Sequence, residues 1–421
     1  MRRNLVLQNR YVQVLKRFRS VETNMISFEL SDEQREIRDW VHSFAEKEIR
    51  PVAHQYDESE EFPLPVVKKA AEVGLYGVDF LQQMYGDATG IMPALVAEEL
   101  TWGCAGIALA IQGTSLPIAA IFSQGTPEQI ATWIPACFGT VEKPALGAFA
   151  VTEPEAGSDV SSMKTRAVRK NGDWVINGQK IFITNGGIAD VHVVVAAVEP
   201  ELGTRGQASF VVGPGTKGLT MGKKEKKMGI RASHTAEVLL EDVTIPAENV
   251  LGGMEKLEAK LARAREGTHS RSSVALKTFE LSRPIVGAQA LGIARAAFEF
   301  ALQYAKERKQ FGRTLIENEA IAFMLADMAT EIEATRALIW RALWEGRNGG
   351  EFKKAEGSMA KLKAGEVAVK VTEQAIQICG GYGYIRDFPV EKWHRDAKIY
   401  TLFEGTSEIQ RIVISRALTK L

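Results

Sequence analysis

The sequence predicts a mainly α-helical protein with a central β domain, and three observations support this fold class. Apolar residues recur at helical spacing through 31–145 and again from 280 onward. Between 146 and 253, short apolar runs instead alternate with glycine-containing turns, which is typical of a small all-β unit. Strands and helices do not alternate along the chain, so a doubly wound nucleotide-binding fold is excluded.

This order divides the 421 residues into five predicted segments. Residues 1–24 form an extension, 25–145 an N-terminal helical domain, 146–253 a middle, β-barrel-like domain, 254–278 a basic insertion or linker, and 279–421 a C-terminal four-helix bundle. The extension carries six Lys or Arg against one Glu. It fits either an amphipathic targeting peptide or an upstream extension before a start at Met25, and its low serine content favours the second.

Composition limits the partners and the compartment. Lys and Arg (52) balance Asp and Glu (52), so the charge gives no indication of a nucleic-acid partner. No apolar run approaches the ~20 residues that span a bilayer, so no membrane span is expected. Three distant cysteines and six unpaired histidines predict neither a disulfide framework nor a metal site. We expect a bacterial cytoplasmic protein, or one of the mitochondrial matrix in a eukaryote.

The helical regions have clear start and stop signals. Ser31 with Gln34 predicts a capping box, after which Ile37, Val41 and Phe44 repeat on one helical face. After residue 280, long apolar stripes are interrupted by glycine-containing segments. Four long helices of this kind pack most simply as a bundle.

A glycine motif in the β region spells G-x-G-x-x-G at Gly213, Gly215 and Gly218. This spacing binds phosphate only when a strand precedes it and a helix follows. The residues after Gly218 lack helical periodicity, so no converging N–H groups are expected there to bind a pyrophosphate. The motif is therefore interpreted as a turn between two strands.

Two stretches of the β region combine hydroxyl and aromatic residues. FAVTEPEAGSD, from residue 149, predicts a polar loop at a helix-to-strand junction. GQKIFITNGG, from residue 178, places Phe182 and Thr184 two residues apart, and therefore on one face of a strand. An aromatic ring and a hydroxyl on one face suit a ring system with polar edges.

Two stretches of the helical C-terminal region are also distinctive. ERKQFGRTL, from residue 307, ends a long helix, and QICGGYGY, from residue 377, has glycines that allow a ligand close to the backbone. Taken singly, a loop or a turn explains each of these stretches equally well.

Glu404 is the candidate catalytic carboxylate. It precedes Gly405 in LFEGTSEIQR, just ahead of a predicted helix whose capping box would be Ser407 with Gln410. A helix N-terminus favours the carboxylate, whereas apolar surroundings favour the neutral acid. These residues alone leave open a carboxylate attracted to a helix start and a base that removes a carbon-bound proton.

Taken together and in order, VTEPEAGSD, GQKIFITNGG, RKQFG, GGYGY with the following RD, and EGTSEIQR strongly resemble the acyl-CoA dehydrogenase family, in its straight-chain type with the base in the EGT loop. The resemblance runs from about residue 26 to 421. It implies helical N-terminal, middle β and four-helix-bundle domains. It also implies that FAD binds between the β domain and the bundle, and not at the glycine motif.

The resemblance carries the family's binding residues onto this chain. Contacts to FAD fall on Phe149, Val151, Thr152, Ser158, Phe182 and Thr184. Contacts to the cofactor of a neighbouring subunit fall on Arg308, Gln310, Phe311, Gln377, Gly380 and Gly381. Positions near the adenine end are Thr406 and Glu408. Substrate contacts fall on Ser158, Glu280, Arg283 and Gly405, and no metal is implied.

The implied reaction is the α,β-dehydrogenation of an acyl-CoA thioester to a trans-2-enoyl-CoA. Glu404 removes the α-proton while a hydride leaves the β-carbon for the flavin. Some members place the base in a segment that corresponds to FELSRP, where this chain has Ser282, which cannot act as a base. The resemblance also implies an electron-transferring flavoprotein as electron acceptor and a homo-oligomer, commonly a tetramer.

Alternatives remain for the chemistry and the substrate. Related acyl-CoA oxidases and flavin monooxygenases share the fold, but the intact Glu404 loop favours dehydrogenation. The intact base also argues against a catalytically silent acyl-CoA-binding protein. An acyl carrier protein is an alternative carrier to CoA. Segment 102–117 resembles a pocket wall with Gln112 near its floor, and its lack of Arg or Lys disfavours a dicarboxylate substrate.

The segment 254–277 departs most from the family pattern. It is longer than the usual link into the bundle and carries six Lys or Arg against three Glu. It fits either a cover for the CoA nucleotide that attracts its phosphates or a solvated surface insertion.

Overall fold

The computed structural model describes residues 28–267, 274–348 and 355–419, and of residues 274–281 only the backbone. The predicted extension 1–24 and part of the basic insertion lie outside these ranges. Within them, helices are followed by strands and then by helices again, which confirms the predicted fold class.

The N-terminal helices form one face of the core. Their bounds are α1 Asp32–Phe44, α2 Ala53–Ser59, α3 Leu64–Glu72, α4 Val78–Gly86, α5 Met92–Gly103, α6 Ala105–Gln112, α7 Ser115–Gln124 and α8 Pro127–Phe138. The predicted capping box of α1 is confirmed, because Ser31 N donates to Gln34 Oε1 at 2.9 Å and Gln34 N donates to Ser31 Oγ at 3.2 Å. Every residue of α5 is buried, so this helix lies at the centre of the fold.

The middle region is a seven-stranded sheet of mainly antiparallel strands. Its strands are β1 Gly147–Ala150, β2 Arg166–Lys170, β3 Asp173–Thr184, β4 Val191–Ala197, β5 Gln207–Val212, β6 Leu219–Lys224 and β7 Thr235–Ile245. The order is β1-β4-β2-β3-β7-β6, with β5 paired to β4. One face of the sheet packs on α7 and α8, and a separate apolar cluster fills the other face.

The glycine motif connects β5 to β6 and is not followed by a helix, which confirms its interpretation as a turn. Gly218 has φ +89°, and a Cβ there would lie 2.2 Å from the carbonyl oxygen of Glu241. The glycine at this position therefore allows two strands to approach each other.

The first part of the insertion is helix α9, Gly253–Arg265. Its buried residues Leu257 and Leu261 join the apolar cluster of the sheet. Lys260 donates to the carbonyl oxygen of Gln207, and Arg265 pairs with Glu199. α9 is therefore a helix packed on the β region, with its opposite side exposed.

The C-terminal helices form a bundle. Their bounds are α10 Val274–Glu307, α11 Glu319–Asn348, α12 Glu356–Cys379, α13 Val390–Lys398 and α14 Ser407–Thr419, and a hairpin of β8 Lys309–Gln310 and β9 Arg313–Thr314 follows α10. α10 begins before the predicted bundle boundary at 279. Its buried side chains share one apolar cluster with α5, α11 and α12, so the bundle and the N-terminal helices have a common core.

Two stretches, Ala105–Gln124 and Ser282–Glu307, are long and apolar enough to cross a membrane by length and composition. This corrects the expectation that no stretch approaches that length. Most of each stretch is buried in the protein, as is usual for core helices, and the first is divided between α6 and α7.

Candidate active site

Glu404 lies in the short loop that joins α13 and its following turn to α14. Its backbone has φ +56°, a left-handed conformation that is uncommon for a residue with a side chain. The half-buried carboxylate accepts a hydrogen bond from Ser282 Oγ on α10, with 2.8 Å between Ser282 Oγ and Glu404 Oε2. The structure therefore brings the predicted base against the helix that carries the alternative base position.

The surroundings of Glu404 change its proton affinity in two directions. Burial raises the pKa of Glu404 above its ordinary value, and this effect prevails over the Ser282 hydrogen bond and the positive charges of Arg283 and Lys361. A carboxylate with a raised pKa is a stronger base, provided that it is ionised at the working pH.

The loop is fixed through its main chain. Lys361 Nζ, from α12, donates to the Gly405 carbonyl oxygen at 2.7 Å. Gln410 Nε2 donates to the carbonyl oxygens of Glu404 and Gly405 at 3.1 and 2.9 Å. Burial lowers the pKa of Lys361 to about 8. These anchors hold Glu404 in its left-handed conformation.

One sequence prediction about this loop is wrong, and one residue that anchors the loop was not predicted. The N-cap of α14 is Thr406, whose Oγ1 accepts from Ile409 N at 3.3 Å, so the predicted capping box of Ser407 with Gln410 is wrong. Gln410 instead turns back towards the loop carbonyls. Lys361 was missed, because it contacts the loop from a helix 44 residues earlier in the chain and no local motif marks it.

Arg283 is buried next to Ser282 on α10 and donates to Ser358 Oγ at 3.0 Å. Its positive charge lowers the pKa of Glu404 and so opposes the effect of burial. Of the other predicted substrate residues, Gly405 has φ +89° in the Glu404 loop, and Ser158 is exposed on the loop that follows β1. The side chain of Glu280 lies outside the described residues.

The first predicted cofactor stretch leaves β1 and is held against β3. Lys180 Nζ donates to the Val151 carbonyl oxygen, and Ile181 N donates to the Thr152 carbonyl oxygen, each at 2.9 Å. Phe149 and Val151 have buried side chains that pack in the cluster facing α7 and α8. Phe149 and Val151 could therefore contact a ligand mainly through their backbone, whereas the side chain of Thr152 is partly exposed.

The second predicted cofactor stretch does not alternate regularly. The pairing of β3 with β7 shifts register between Lys180 and Ile183, and Phe182 within that shift has φ +57°. The expected simple alternation of Phe182 with Thr184 along one strand is therefore interrupted by a bulge. The bulge leaves the Phe182 side chain 61% exposed. A Cβ added at Gly113 would lie 2.9 Å from Thr184 Cγ2, which places Thr184 beside the end of α6.

A cavity of about 500 Å³ collects four of the residues predicted to contact a neighbouring subunit's cofactor. Arg308, Gln310, Gly380 and Gly381 line it, together with apolar walls that include Tyr382. The guanidinium of Arg308 lies 5.7 Å from the centre of the Tyr382 ring. A Cβ at either glycine would meet no atom within 4 Å, so both glycines border open space.

Of the four remaining predicted cofactor residues, three are exposed on the surface and one is partly buried. Phe311 is 99% exposed at the tip of the β8–β9 hairpin, and Gln377 and Glu408 are also exposed. Thr406 is partly buried at the start of α14.

The residues fit FAD by their chemistry. An aromatic side chain exposed at a backbone bulge and a polar backbone stretch suit a flat heterocycle. A cavity with a guanidinium, a tyrosine ring and two glycines suits a nucleotide end. With the half-buried carboxylate of Glu404, the fold and the site suit an enzyme that binds a planar cofactor.

Comparisons with known proteins agree with this class. Family models for the N-terminal, middle and C-terminal domains of acyl-CoA dehydrogenase match residues 31–139, 148–243 and 272–419. The short-chain-specific acyl-CoA dehydrogenase of Clostridium acetobutylicum is 42% identical over 394 residues, which are 93% of this chain and 99% of that protein.

Solved structures show the same relationship. Butyryl-CoA dehydrogenase from Megasphaera elsdenii superposes with a TM-score of 0.84 at 37% identity, over 94% of this chain and 100% of that one. A chain from the structure of the electron-transferring flavoprotein of Acidaminococcus fermentans gives a TM-score of 0.84 at 38% identity, with the same coverage. The chain therefore belongs to the acyl-CoA dehydrogenase family of flavin-dependent oxidoreductases.

Proposed function

We propose that the protein is an FAD-dependent acyl-CoA dehydrogenase in which Glu404 removes the α-proton of the thioester. The observation that carries this proposal is the Glu404 carboxylate, shielded enough to have a raised pKa and oriented by Ser282. A weak carbon acid requires a base of raised proton affinity, and burial supplies it here.

Bound FAD would supply the acceptor for the hydride that leaves the β-carbon. The chain's own residues would serve the other part of the reaction, which is the removal of the α-proton. Ser282 Oγ holds one carboxylate oxygen, so the other oxygen can face the substrate and take the proton. Lys361 and Gln410 keep the loop rigid, so the carboxylate does not have to be ordered during the reaction.

The cofactor would contact both predicted sets of residues, but on two different copies of the chain. Gln112, next to Gly113 and hence beside Thr184, accepts a hydrogen bond from Gln289 of α10 at 2.9 Å. Arg308 lies 19 residues after Gln289, just past the end of α10. At 1.5 Å per residue of helix, the two residues are about 29 Å apart along the helix axis. This separation supports a homo-oligomer in which the Arg308 cavity receives a neighbour's cofactor; a tetramer remains a prediction.

The comparisons support a straight, short acyl chain as substrate and an electron-transferring flavoprotein as electron acceptor. The relatives named above are a short-chain-specific enzyme, a butyryl-CoA dehydrogenase and a chain from an electron-transferring flavoprotein structure. The three cysteines are buried and unbridged, which supports the expected reducing compartment, either the bacterial cytoplasm or the mitochondrial matrix of a eukaryote.

The test is anaerobic bleaching of the visible flavin band by a series of straight-chain acyl-CoAs. Wild type should be bleached fastest by a short chain, whereas Glu404→Gln should keep its flavin and be bleached at least ~100-fold more slowly. Glu373→Gln, which removes an exposed carboxylate of α12, is the control and should behave as wild type. A protein that binds flavin but is bleached equally in both forms would exclude Glu404 as the base.

A further inference from the structure

A charged pair is buried inside the β region, where the proposed reaction makes no direct use of it. Lys180 of β3 is fully buried, and its ammonium lies 2.8 Å from Oε1 of Glu153, which is buried as well. Two charges removed from water cost free energy that their attraction rarely exceeds, so apolar residues of similar size would stabilise a core at least as well. The presence of the pair here therefore requires a reason beyond stability.

Both members of the pair are fully engaged with backbone groups. Besides Glu153, Lys180 Nζ reaches the carbonyl oxygen of Val151 at 2.9 Å. Glu153 accepts from the backbone N–H groups of Lys164 at 2.6 Å and Thr165 at 3.0 Å. Although burial opposes ionisation, Lys180 and these donors hold the pKa of Glu153 below its ordinary value. The pair thus connects three separate segments: the stretch after β1, the stretch before β2, and β3.

The connection lies between the two predicted cofactor stretches. On one side are Val151 and Thr152, whose consecutive carbonyl oxygens accept from Lys180 Nζ and Ile181 N. On the other side, the residue after Ile181 is Phe182, at the bulge with φ +57°. The Lys180 bond therefore fixes the distance and the orientation of the first stretch relative to the bulge that exposes Phe182.

We propose that Lys180, paired with Glu153, is a positioning residue for FAD, which sets the Val151–Thr152 backbone against the Phe182 bulge before the cofactor binds. The inference rests on the proposed function, because it assumes that FAD occupies these two stretches. Lys180 does not touch the cofactor in this scheme. It acts through the Val151 carbonyl group and the Glu153 carboxylate, to which its ammonium donates.

The pair can be removed without leaving a lone buried charge. Lys180→Met keeps the length and the apolar stem of the side chain but leaves Glu153 unpaired. The double variant Lys180→Met with Glu153→Gln has no buried charge, and its amide oxygen keeps an acceptor for one of the two N–H groups of Lys164 and Thr165. It therefore tests positioning even if the single variant does not fold. The matched control is Lys392→Met with Asp396→Asn, which neutralises a second buried ion pair, in α13.

The experiment titrates each apoprotein with FAD, follows the quenching of FAD fluorescence, and records the visible circular dichroism of the bound flavin. Loss of a charge-assisted hydrogen bond predicts that the Lys180 double variant binds FAD about tenfold or more weakly. Its flavin dichroism should change as well. The α13 control should match wild type in both measurements, even if its melting temperature falls as much as that of the Lys180 double variant.

Two results would overturn the proposal and can be told apart. If wild-type apoprotein binds FAD and the Lys180 double variant binds it equally well, with the same dichroism, the pair has a structural role only. If wild-type apoprotein does not bind FAD, the proposed function fails, and the positioning role fails with it.

Discussion

Ser282→Ala gives the sharpest test of the environment of Glu404. The Ser282 hydroxyl donates to the carboxylate at 2.8 Å, so it stabilises the ionised form of Glu404 and keeps its pKa lower than burial alone would. Removal of the hydroxyl should therefore raise the pKa of Glu404 further. The alanine side chain is compatible with a helix, so α10 should remain intact.

The magnitude follows from the hydrogen bond. A bond to a charged group contributes about 1.5–3 kcal/mol, and one pKa unit corresponds to about 1.4 kcal/mol. Because Glu404 is only half-buried and solvent can replace part of the lost bond, we expect a shift of about one unit upward.

The assay is the pH dependence of kcat/KM, which reports the ionisation of the free enzyme. Glu404 must be ionised to accept a proton, so activity rises as the pH rises through its pKa. The midpoint of this rise should move upward in Ser282→Ala, and the alkaline plateau should fall because the carboxylate loses the bond that orients it. Ser415→Ala, whose hydroxyl donates only to the Ile412 carbonyl oxygen of α14, is the control. An unchanged or lowered midpoint would refute the assigned role of the Ser282 bond.

Two further variants test the loop and the burial of its carboxylate. Gly405→Ala should lower both kcat and Tm, because φ +89° costs an alanine about 1–2 kcal/mol and its Cβ would lie 2.7 Å from Gln410 Nε2. The control is Gly86→Ala, which should leave kcat and Tm unchanged because a Cβ there meets no atom within 4 Å. Equal effects of the two substitutions would contradict this account. Because the pKa of Glu404 is raised on folding, its stabilising contribution is complete below the unfolded-state pKa and is lost as the pH rises through the folded-state pKa. Glu404→Gln should therefore raise the Tm of the apoprotein relative to wild type by more near pH 8 than near pH 5, and a pH-independent difference in differential scanning calorimetry would exclude the raised pKa.

The sequence predicted those features that depend on local pattern. The capping box at Ser31, the turn at the glycine motif and the position of Glu404 ahead of a helix are each determined by residues a few positions apart. The succession of helical, β and helical regions follows from periodicity in the same way. The resemblance to a family then supplied the roles of residues that no local pattern could assign.

The errors and omissions come from contacts that the regular pattern of one helix or strand does not indicate, several of them between residues far apart in the chain. The capping box predicted for α14 failed because Gln410 bonds to the loop carbonyls in preference to its own helix end. The interrupted alternation at Phe182 arises from the pairing of β3 with β7, which the spacing within one strand does not reveal. Lys361 and Lys180 were missed for a similar reason, since their partners lie 44 and 27–29 residues away in the chain.

The way in which the Glu404 loop is held has a consequence for enzyme engineering. Lys361 and Gln410 donate hydrogen bonds to backbone carbonyl oxygens, which every amino acid possesses. None of these bonds uses the side chain at position 404. The backbone conformation of the loop therefore does not depend on the side chain at position 404, and it should be retained when that side chain is replaced. A cysteine, histidine or aspartate installed at 404 would be presented to the substrate from nearly the same point in space, so that differences in turnover would report the chemistry of the group rather than a change of scaffold.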